Sequence, residues 1–370
     1  MHTALRVLTG RHIRNGFAVT DVQGGHSLAI FRQCLYTKSI LLRTLTTVPC
    51  YQVDSFSNQP FAGNPAAVCL LDSTTTGEWP LTDSHLLQIA AENNLSETAF
   101  IIPQHTTSDD HSFTQESHFH LRWFTPTTEV DLCGHATLAT AAVLLQKCNN
   151  TNPSLYFATK SGELVASAMP SMPIDDNQTD SAIEMELPLN PPLDLSSPAA
   201  PYLALVDAVL DSTNGTNGTV EGIVESVSYS ATTKKFVVTL DATQVDRSYL
   251  ESLNPSPTTL LNVNQTALGT DNVKGVIVTL QDTEENSGYD FISRYFAPWV
   301  GIEEDPVTGS AHTVLAPMWS KRFKDQTDMK ARQCSPRGGD LGLRVDTAGD
   351  GKLYISGEAC VVLEGTLRIE

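Results

Sequence analysis

Positive charge is scarce in this sequence. Its 370 residues contain 23 Lys and Arg against 42 Asp and Glu, which gives a formal net charge of −19 at pH 7. No block of basic residues interrupts the acidic body of the chain. Because such a surface would be repelled by a phosphate backbone, the composition argues against nucleic acid as a partner. Small molecules are the better candidates for a ligand.

Long apolar runs are also lacking. The chain is 41% hydrophobic and 18% charged, which is ordinary for a globular protein. No uninterrupted apolar stretch reaches the length that crosses a bilayer, so we expect no membrane segment. The length is sufficient for two domains of ordinary size, each with its own core.

Closely spaced cysteines are absent as well. The seven cysteines are an odd number, with no Cys-x-x-Cys motif and without the spacing of a small disulfide framework. The sequence does not start with the basic and apolar regions of a secretory signal. A reducing compartment fits these features best, and we expect the cytoplasm.

The first 48 residues differ from the rest of the chain. Residues 1–50 contain six Lys or Arg and one acid, Asp21. This basic composition, with Ser and Thr, is typical of a mitochondrial transit peptide. An extension that never orders, or a start codon assigned too far upstream, explains it equally well. A mitochondrial location therefore stays open as the alternative to the cytoplasm.

The remaining sequence indicates an α+β fold. Alternating apolar and polar residues predict strands at 51–56 and 118–124, and spaced apolar residues predict a helix at 83–94. Another helix is predicted at about 136–146. Short strands with few helices do not show the regular βαβ alternation of a doubly wound sheet.

Two domains are predicted in this folded part. The first covers 49–160, and a final strand at about 355–370 returns to it; the second covers 161–354. Residues 171–231 are rich in Pro, Ser, Thr, Asn and Asp, a composition typical of a surface segment. We expect an insertion there, at about 190–230.

One short phrase occurs twice. Residues 122–126 (Arg-Trp-Phe-Thr-Pro) lead to Gly134 and a helix of small residues, and residues 294–298 (Arg-Tyr-Phe-Ala-Pro) lead to Gly309 in the same way. The repeat predicts two similar halves, each presenting a helix N-terminus. Because free N–H groups and the helix dipole attract anions, two facing N-termini would hold a small carboxylate. A chance recurrence, or a duplicated fold whose site has decayed, would leave the same repeat.

Glu97 is a candidate acid/base. It is a lone carboxylate where a loop enters an otherwise apolar strand, a place that can remove water from an acid. A partly buried glutamate with a raised pKa can take and return a proton near neutral pH. The alternative is a glutamate at the strand edge that points into water.

A second group of candidates surrounds the two glycines. Cys133, Gly134 and His135 place a thiol, a helix-start N–H and an imidazole within one turn. The histidine and the thiol are equally well explained as packed core residues. In the second half, Asp305 is the last of three acids that precede Gly309, and acids there could simply complement the helix dipole.

Neither a metal nor a nucleotide cofactor is expected. His118 and His120 share a strand face, and His135 or Glu129 would complete a set of metal ligands with them, but no His-Glu-x-x-His or paired-cysteine spacing supports a metal site. The sequence also contains no Gly-x-Gly-x-x-Gly motif and no P-loop.

Read together, these stretches resemble the phenazine-biosynthesis PhzF-like family, which shares its fold with diaminopimelate epimerase. The matching motifs occur in the family's order and span roughly residues 51–365, leaving out the N-terminal 50 residues and the insertion. The matching segments are residues 52–56, 63–68, 94–100, 122–126, 131–138, 294–298 and 304–312.

The resemblance implies two pseudo-symmetric epimerase-like domains, each a curled mixed sheet around a central helix, with the active site between them. It implies Glu97 as the acid/base. It also implies that His135, Asp305 and Ser310 hold polar groups of the substrate, and that Gly134 and Gly309 provide the amides nearest its carboxylate. The best-known member isomerises trans-2,3-dihydro-3-hydroxyanthranilate without a cofactor. A homodimer is expected from the same resemblance.

Two alternatives to such an isomerase remain. The first is an amino-acid racemase or epimerase with Cys133 or Glu97 as the base. The epimerase branch needs a thiol on each side of the substrate carbon, and residues 305–308 provide no second cysteine. The second alternative is a protein of the same fold that binds a metabolite and catalyses nothing.

Overall fold

The computed structural model describes residues 47–71, 79–105, 112–169, 182–196, 200–210, 222–263, 273–346 and 349–369. The predictions for the N-terminal 48 residues lie outside these ranges, except that Thr47 and Val48 belong to the first strand. Within the described ranges, no helix has the length and apolar character needed to cross a membrane.

Strands provide most of the regular structure. They are β1 (Thr47–Ser55), β2 (Asn64–Leu70), β3 (Glu97–Pro103), β4 (His118–Phe124), β5 (Glu129–Val130), β6 (Ser154–Thr159), β7 (Gly162–Ala168), β8 (Ile183–Pro188), β9 (Leu193–Asp194), β10 (Val224–Ser230), β11 (Lys235–Leu240), β12 (Gly275–Gln281), β13 (Phe291–Phe296), β14 (Asp328–Gln333), β15 (Gly339–Val345), β16 (Lys352–Gly357) and β17 (Ala359–Arg368).

Helices connect these strands or fill the space between them. They are α1 (Asp83–Asn93), α2 (Ser112–Gln115), α3 (Gly134–Ala142), α4 (Ala200–Leu210), α5 (Arg247–Ser252), α6 (Pro257–Val263) and α7 (Gly309–Arg322). A π-helical turn, Val143–Lys147, continues α3, and a 3₁₀ turn, Pro298–Val300, follows β13. The predicted helix at about 136–146 therefore begins two residues earlier and changes to π geometry in its second half.

The strands pair in one continuous order that is symmetric about its centre. Apart from β5, which pairs with β4, the order is β17, β1, β2, β3, β4, β6, β7, β8, β16, β15, β14, β13, β12, β11, β10 and β9. From either end, the pairings are two antiparallel, one parallel, one antiparallel, one parallel and two antiparallel. The duplication that the repeated phrase predicts is therefore present in the topology. Pairing alone does not assign a strand to a domain, so the boundaries after residues 160 and 354 stay predictions.

The repeated arginine holds the same turn in both halves. Arg122 donates to both carboxylate oxygens of Glu129 at 2.7 and 2.9 Å, and Arg294 donates to both oxygens of Glu304 at 2.7 and 2.7 Å. Each guanidinium also lies 5.0 Å from the ring centroid of the phenylalanine two residues later. The bidentate pairs fix the chain between the strand and the glycine that starts the next helix.

The two glycine-led helices, α3 and α7, are buried along most of their length. Every residue of α3 after Gly134 is buried, and so is nearly every residue of α7 up to Ser320. Strands β1, β2, β3, β7, β8 and β17 contact α3, while β15 and β16 contact α7. Small side chains, mainly Ala and Thr, let strands approach α3 from several sides, and a helix buried on all sides needs no polar face.

The prediction that residues 171–231 form a surface segment is wrong for helix α4 and for β10, the last strand in that range. In α4, Leu205 and Val209 have no exposed surface, and β10 pairs with both β9 and β11. Apolar side chains of α4 pack in one core cluster with β11 and β12, which the Pro- and Ser-rich flanking composition obscured. Residues 170–181, 197–199 and 211–221 lie outside the described ranges.

Candidate active site

The two central helices meet end to end. A Cβ added to Gly134 would lie 3.8 Å from the Cα of Gly309, and one added to Gly309 would lie 3.9 Å from the Cα of Gly134. The residues before them, Cys133 and Thr308, are the N-caps, and neither side chain caps its helix. The first amides of both helices therefore lack an intrahelical acceptor and a side-chain cap, which makes this junction attractive to an anion.

A cavity of about 190 Å³ opens beside this junction. Every site residue predicted from the sequence lines it: Glu97, Gly134, His135, Asp305, Gly309 and Ser310. The structure thus brings together residues from both halves of the chain. The remaining wall is mainly apolar and includes Leu132, Leu187, Ala297, Val300 and Ile302.

Glu97 is the first residue of β3 and lies beside Ala66 of β2. Its Oε2 atom is 3.3 Å from Nε2 of His135, yet it is buried without a hydrogen-bond partner in the described structure. Burial raises the pKa of Glu97, and hydrogen bonds with the Ser96 and Cys133 side chains offset part of that rise. The alternative of a strand-edge glutamate that points into water is wrong, because this residue is only 8% exposed.

His135 is held as a neutral imidazole. Burial lowers its pKa to about 4. Nδ1 lies 3.2 Å from the Nδ2 amide of Asn64, which offers no acceptor, whereas Nε2 faces the Glu97 carboxylate, so the single ring proton belongs on Nε2. Nε2 faces both Glu97 and the hydroxyl of Ser96, the latter at 3.3 Å. The backbone carbonyl of His135 accepts a 2.8 Å hydrogen bond from Ser55.

Asn64 links the two halves of the site, a role that its sequence context does not reveal. Its Nδ2 donates to Oδ1 of Asp305 at 2.8 Å and to the carbonyl of Val307 at 2.9 Å. The carbonyl can only accept, which fixes the orientation of the amide. The oxygen of that amide is buried without a partner. In the sequence, the only indication that Asn64 belongs to the site is the motif Gly63-Asn64-Pro65, which is part of the family resemblance.

Asp305 has both carboxylate oxygens engaged. Asn64 donates to one oxygen, and the Thr308 hydroxyl donates to the other. Burial raises the pKa of Asp305, while the nearby His135 and the Thr308 and Asn64 hydrogen bonds act in the opposite direction. The side chain of Gln333 fixes this turn by accepting from the Thr308 amide at 2.9 Å and donating to the Asp305 carbonyl.

Ser310 and a tyrosine that the sequence did not single out line the second half of the site, and a lysine lies over the ring of that tyrosine. Ser310 is half-buried in the first turn of α7 and lines the cavity. Tyr295 lines it as well, and burial raises the pKa of its phenol. The ammonium of Lys235 lies 5.5 Å from the Tyr295 ring centroid, and burial lowers the pKa of this lysine to about 8.

The thiol of Cys133 has a hydroxyl as its counterpart. Cys133 and Thr308 occupy the same N-cap position before the two facing glycines. The Cys133 Sγ lies 3.4 Å from Nδ1 of His135. Burial raises the pKa of this thiol well above its ordinary value, and the nearby Glu97 raises it further. A thiol in such surroundings is protonated at neutral pH and is a poor base.

Two of the residues considered as metal ligands from the sequence are engaged in other contacts, whereas a different set of three residues with potential ligand atoms lies close together. Glu129 is taken by Arg122, and the His118 ring stacks on Tyr156 at a centroid distance of 4.6 Å. Ligand atoms of Glu97, Cys133 and His135 instead lie within 4.8 Å of one another. Glu97 lies next to Nε2 of the imidazole, and Cys133 lies next to Nδ1. Contacts on opposite sides of the ring are typical of a hydrogen-bonded cluster and not of ligands that converge on one metal ion.

Comparison with known proteins identifies relatives along nearly the whole folded chain. The family described as phenazine biosynthesis-like protein (PhzC-PhzF) matches residues 53–365. A mouse phenazine biosynthesis-like domain-containing protein 1 is 44% identical over 324 residues, which cover 86% of this chain and 99% of that protein. An uncharacterized isomerase of Pseudomonas aeruginosa is 37% identical over 319 residues, 86% of this chain and 98% of its own length.

Solved structures agree with the sequence relatives. The crystal structure of a PhzF-family phenazine biosynthesis protein from Enterococcus faecalis matches with a TM-score of 0.66 and 32% sequence identity. The match covers 87% of this chain and all of that one. The predicted α+β class with a diaminopimelate epimerase-like fold is therefore confirmed.

Proposed function

Because the chain belongs to the phenazine biosynthesis-like protein family, we propose that it is an isomerase that moves a proton on a small carboxylated substrate without a cofactor. One observation carries the proposal. The buried carboxylate of Glu97 has an unpartnered oxygen and lines the same cavity as two facing helix N-termini. That combination provides a base next to an anion site, which proton transfer alpha to a carboxylate requires.

In the proposed reaction, the substrate carboxylate binds at the junction of α3 and α7. Amides at Gly134 and Gly309 donate to it, and the dipoles of both helices favour its negative charge. Glu97 takes a proton from a carbon of the substrate and becomes a neutral acid. The negative charge left on the substrate is delocalised toward the carboxylate, where the same amides stabilise it. Glu97 then returns the proton to a different carbon, so the enzyme ends in its starting state.

His135 and Asp305 would hold the polar groups of the substrate on either side of this proton transfer. A neutral His135 with its proton on Nε2 donates toward Glu97 or toward a substrate oxygen, but does not remove the negative charge that the base needs. Asp305 is fixed by Asn64 and Thr308, so an incoming hydroxyl or amino group finds it already oriented. Ser310 would supply a further hydroxyl at the end of α7.

The shape of the cavity suits a small substrate. A volume of about 190 Å³ is below the usual range for drug-sized ligands, and the lining combines the polar site residues with several apolar side chains. A single-ring carboxylic acid that resembles trans-2,3-dihydro-3-hydroxyanthranilate fits this description. The two-thiol racemase receives less support, because the counterpart of Cys133 is Thr308.

The test follows hydrogen exchange. The protein is incubated in D2O with trans-2,3-dihydro-3-hydroxyanthranilate and a panel of amino and cyclic carboxylic acids, and deuterium uptake is followed by NMR. We expect uptake at one substrate carbon, lost in Glu97→Gln and kept in Glu92→Gln, a matched change at an exposed glutamate of α1. Equal exchange in Glu97→Gln would contradict the assigned base. Loss in Cys133→Ser together with retention in Glu97→Gln would favour a racemase.

No exchange with any compound, despite specific binding of one of them, would favour the third possibility. The protein would then be a metabolite-binding member of the family, with the junction of α3 and α7 as its carboxylate site. Binding is measured by calorimetry on the same panel, so that the absence of chemistry is distinguished from the absence of a suitable compound.

A further inference from the structure

Two cysteines outside the candidate active site lie side by side. Cys50 of β1 and Cys69 of β2 are directly opposite each other in this antiparallel pair. Their sulfur atoms are 3.6 Å apart, with the Cys69 thiol donating to the Cys50 sulfur. Both residues are buried, and both are reduced. No step of the proposed isomerisation uses them.

The backbone at this position already has the separation that a disulfide needs. Residues directly opposite each other in antiparallel strands have Cα atoms about 4.5 or 5.5 Å apart, depending on the hydrogen-bonding pattern. Disulfides span Cα separations of about 4.4–6.8 Å. Both distances fall in that range and the sulfur atoms are already 3.6 Å apart, so the spacing of the two strands permits a bond between Cys50 and Cys69.

The two thiols are not equivalent. The hydrogen bond from Cys69, together with one from Asn93, lowers the pKa of Cys50. The same hydrogen bond and burial raise the pKa of Cys69 well above its ordinary value. By contrast, burial raises the pKa of the Cys148 thiol to about 11. Cys50 is 8% exposed whereas Cys69 has no exposed surface, so a peroxide reaches Cys50 first. The Cys50 thiolate is therefore the nucleophile, and Cys69 is the sulfur that resolves.

We infer that Cys50 and Cys69 form an oxidation site at which a hydroperoxide closes a cross-strand disulfide. The Cys50 thiolate attacks the terminal oxygen of the hydroperoxide, the O–O bond breaks, and an alcohol or water leaves. The product is a sulfenic acid on Cys50. The Cys69 sulfur then attacks the Cys50 sulfur, the S–O bond breaks, and water leaves. Two thiols lose two electrons in total, and the hydroperoxide gains them.

The strand pair that carries these thiols also supports the candidate active site. Five residues further along β1, Ser55 lies opposite Asn64 of β2, and both side chains contact His135. At about 3.3 Å per residue, the disulfide would form about 17 Å from that contact. It would close the chain segment between the two strands into a covalent loop containing Asn64.

The test maps disulfides in the full-length protein. Purified protein is treated at neutral pH with a small excess of hydrogen peroxide, remaining thiols are alkylated, and the non-reduced digest is analysed by mass spectrometry. We expect a cross-linked peptide that joins Cys50 to Cys69, with both positions protected from alkylation, and full reversal by dithiothreitol. Cys148→Ser, which removes a half-buried thiol elsewhere, should leave this product unchanged.

Cys50→Ser and Cys69→Ser should both abolish the product, provided that circular dichroism shows a folded chain. The disulfide map of the wild-type protein tests the inference even if these variants do not fold. Oxidation of Cys50 to sulfinic acid while Cys69 remains alkylated would overturn the inference. So would a disulfide that joins either residue to a different cysteine. Neither outcome depends on isomerase activity.

Discussion

Gly134 and Gly309, from the two halves of the chain, abut so closely that a Cβ on the first would lie 3.8 Å from the Cα of the second. The separation is an ordinary van der Waals contact, and neither glycine has a left-handed backbone. Their small size therefore matters for the space around the helix N-termini rather than for the backbone itself. Larger side chains here would separate the helix ends or fill the site between them.

Gly134→Ala and Gly134→Leu should separate these two effects. Alanine meets only ordinary contacts, so we expect its free energy of unfolding to stay within about 1 kcal/mol of the wild-type value. Leucine must displace Gly309 or Leu187, and we expect it to cost about 1–3 kcal/mol. Urea denaturation measures both variants. Equal destabilisation by alanine and leucine would show that the junction has no room for even one methyl group.

Glu97→Gln should abolish exchange and stabilise the fold at neutral pH. Loss of the acid/base is expected to slow proton transfer by at least about 100-fold. The raised pKa of Glu97 means that the folded state binds more protons than the unfolded state between pH 4.5 and the folded pKa. Wild-type stability therefore falls as pH rises through that window. The variant lacks this loss, so its advantage in unfolding free energy should be present at pH 7 and disappear below pH 4.5.

His312 gives the opposite pH dependence. It has no exposed surface, burial lowers its pKa to about 4, and its Nδ1 lies 2.8 Å from the Thr308 carbonyl. The folded state binds fewer protons than the unfolded state between pH 4 and 6.5, so stability is full above pH 6.5 and falls toward pH 4. At about 1.4 kcal/mol per pKa unit, this histidine contributes about 3 kcal/mol to that fall.

The variant His312→Leu should make the pH dependence shallower, although its stability at pH 7 decreases with the lost hydrogen bond. Unfolding free energies at several pH values between 4 and 7 provide the measurement. An unchanged slope would show that folding does not lower the pKa of His312, contrary to the expectation from its burial. His135, with a pKa of about 4 as well, contributes a slope of the same sign.

Asn64→Ala tests the link across the site. The substitution leaves the Asp305 carboxylate and the Val307 carbonyl without their donor, and we expect a cost of about 1–3 kcal/mol. Asn64→Asp has the same size but replaces the donor with a second carboxylate beside Asp305. It should destabilise the protein more than alanine at pH 7 and approach the alanine variant at low pH. Identical pH profiles for the two variants would contradict the contact.

The two repeated arginines should differ in importance. Arg294 is 4% exposed and, besides Glu304, donates to the carbonyls of Leu250, Glu251 and Leu253. Removing it by Arg294→Met leaves a largely buried carboxylate and three acceptors unpaired, for which we expect about 3–5 kcal/mol. Arg122→Met, at the more exposed copy, should cost about half as much or less. Denaturation of both variants decides whether the repeat is also energetically symmetric.

Sequence patterns predicted correctly those strands and helices whose formation depends on residues close together in the chain. The strand at 118–124 has the predicted bounds, because its alternating residues face the core and solvent in turn. The predicted helix at 83–94 corresponds to α1, which begins after Thr82, an N-cap that accepts from the His85 amide, and ends at the left-handed residue Asn94. Both caps are side-chain or backbone preferences of single residues and need no tertiary partner.

The surface segment predicted from composition is wrong where a short apolar helix lies between polar segments. The sequence of α4, Ala200–Leu210, is strongly apolar, yet the surrounding residues average it into a segment typical of the surface. Its burial follows from packing against β11 and β12, which are distant in the chain. The average composition of a stretch of sequence cannot show that such a helix is buried, because burial depends on the elements that pack against the helix and not on its neighbours in sequence.

The sequence by itself determined the duplication, the two glycine-led helix starts and the position of a lone acid at the start of an apolar strand. The helix starts and the lone acid depend on residues within a few positions of one another, and the duplication is found by comparing two such short stretches. Only the tertiary structure decided that Asn64 joins His135, 71 residues away, to Asp305, 241 residues away. It also decided that Lys235 lies over Tyr295 and that Cys50 touches Cys69. Such contacts arise when separate elements pack together, and the packing is set by the whole chain rather than by any local pattern.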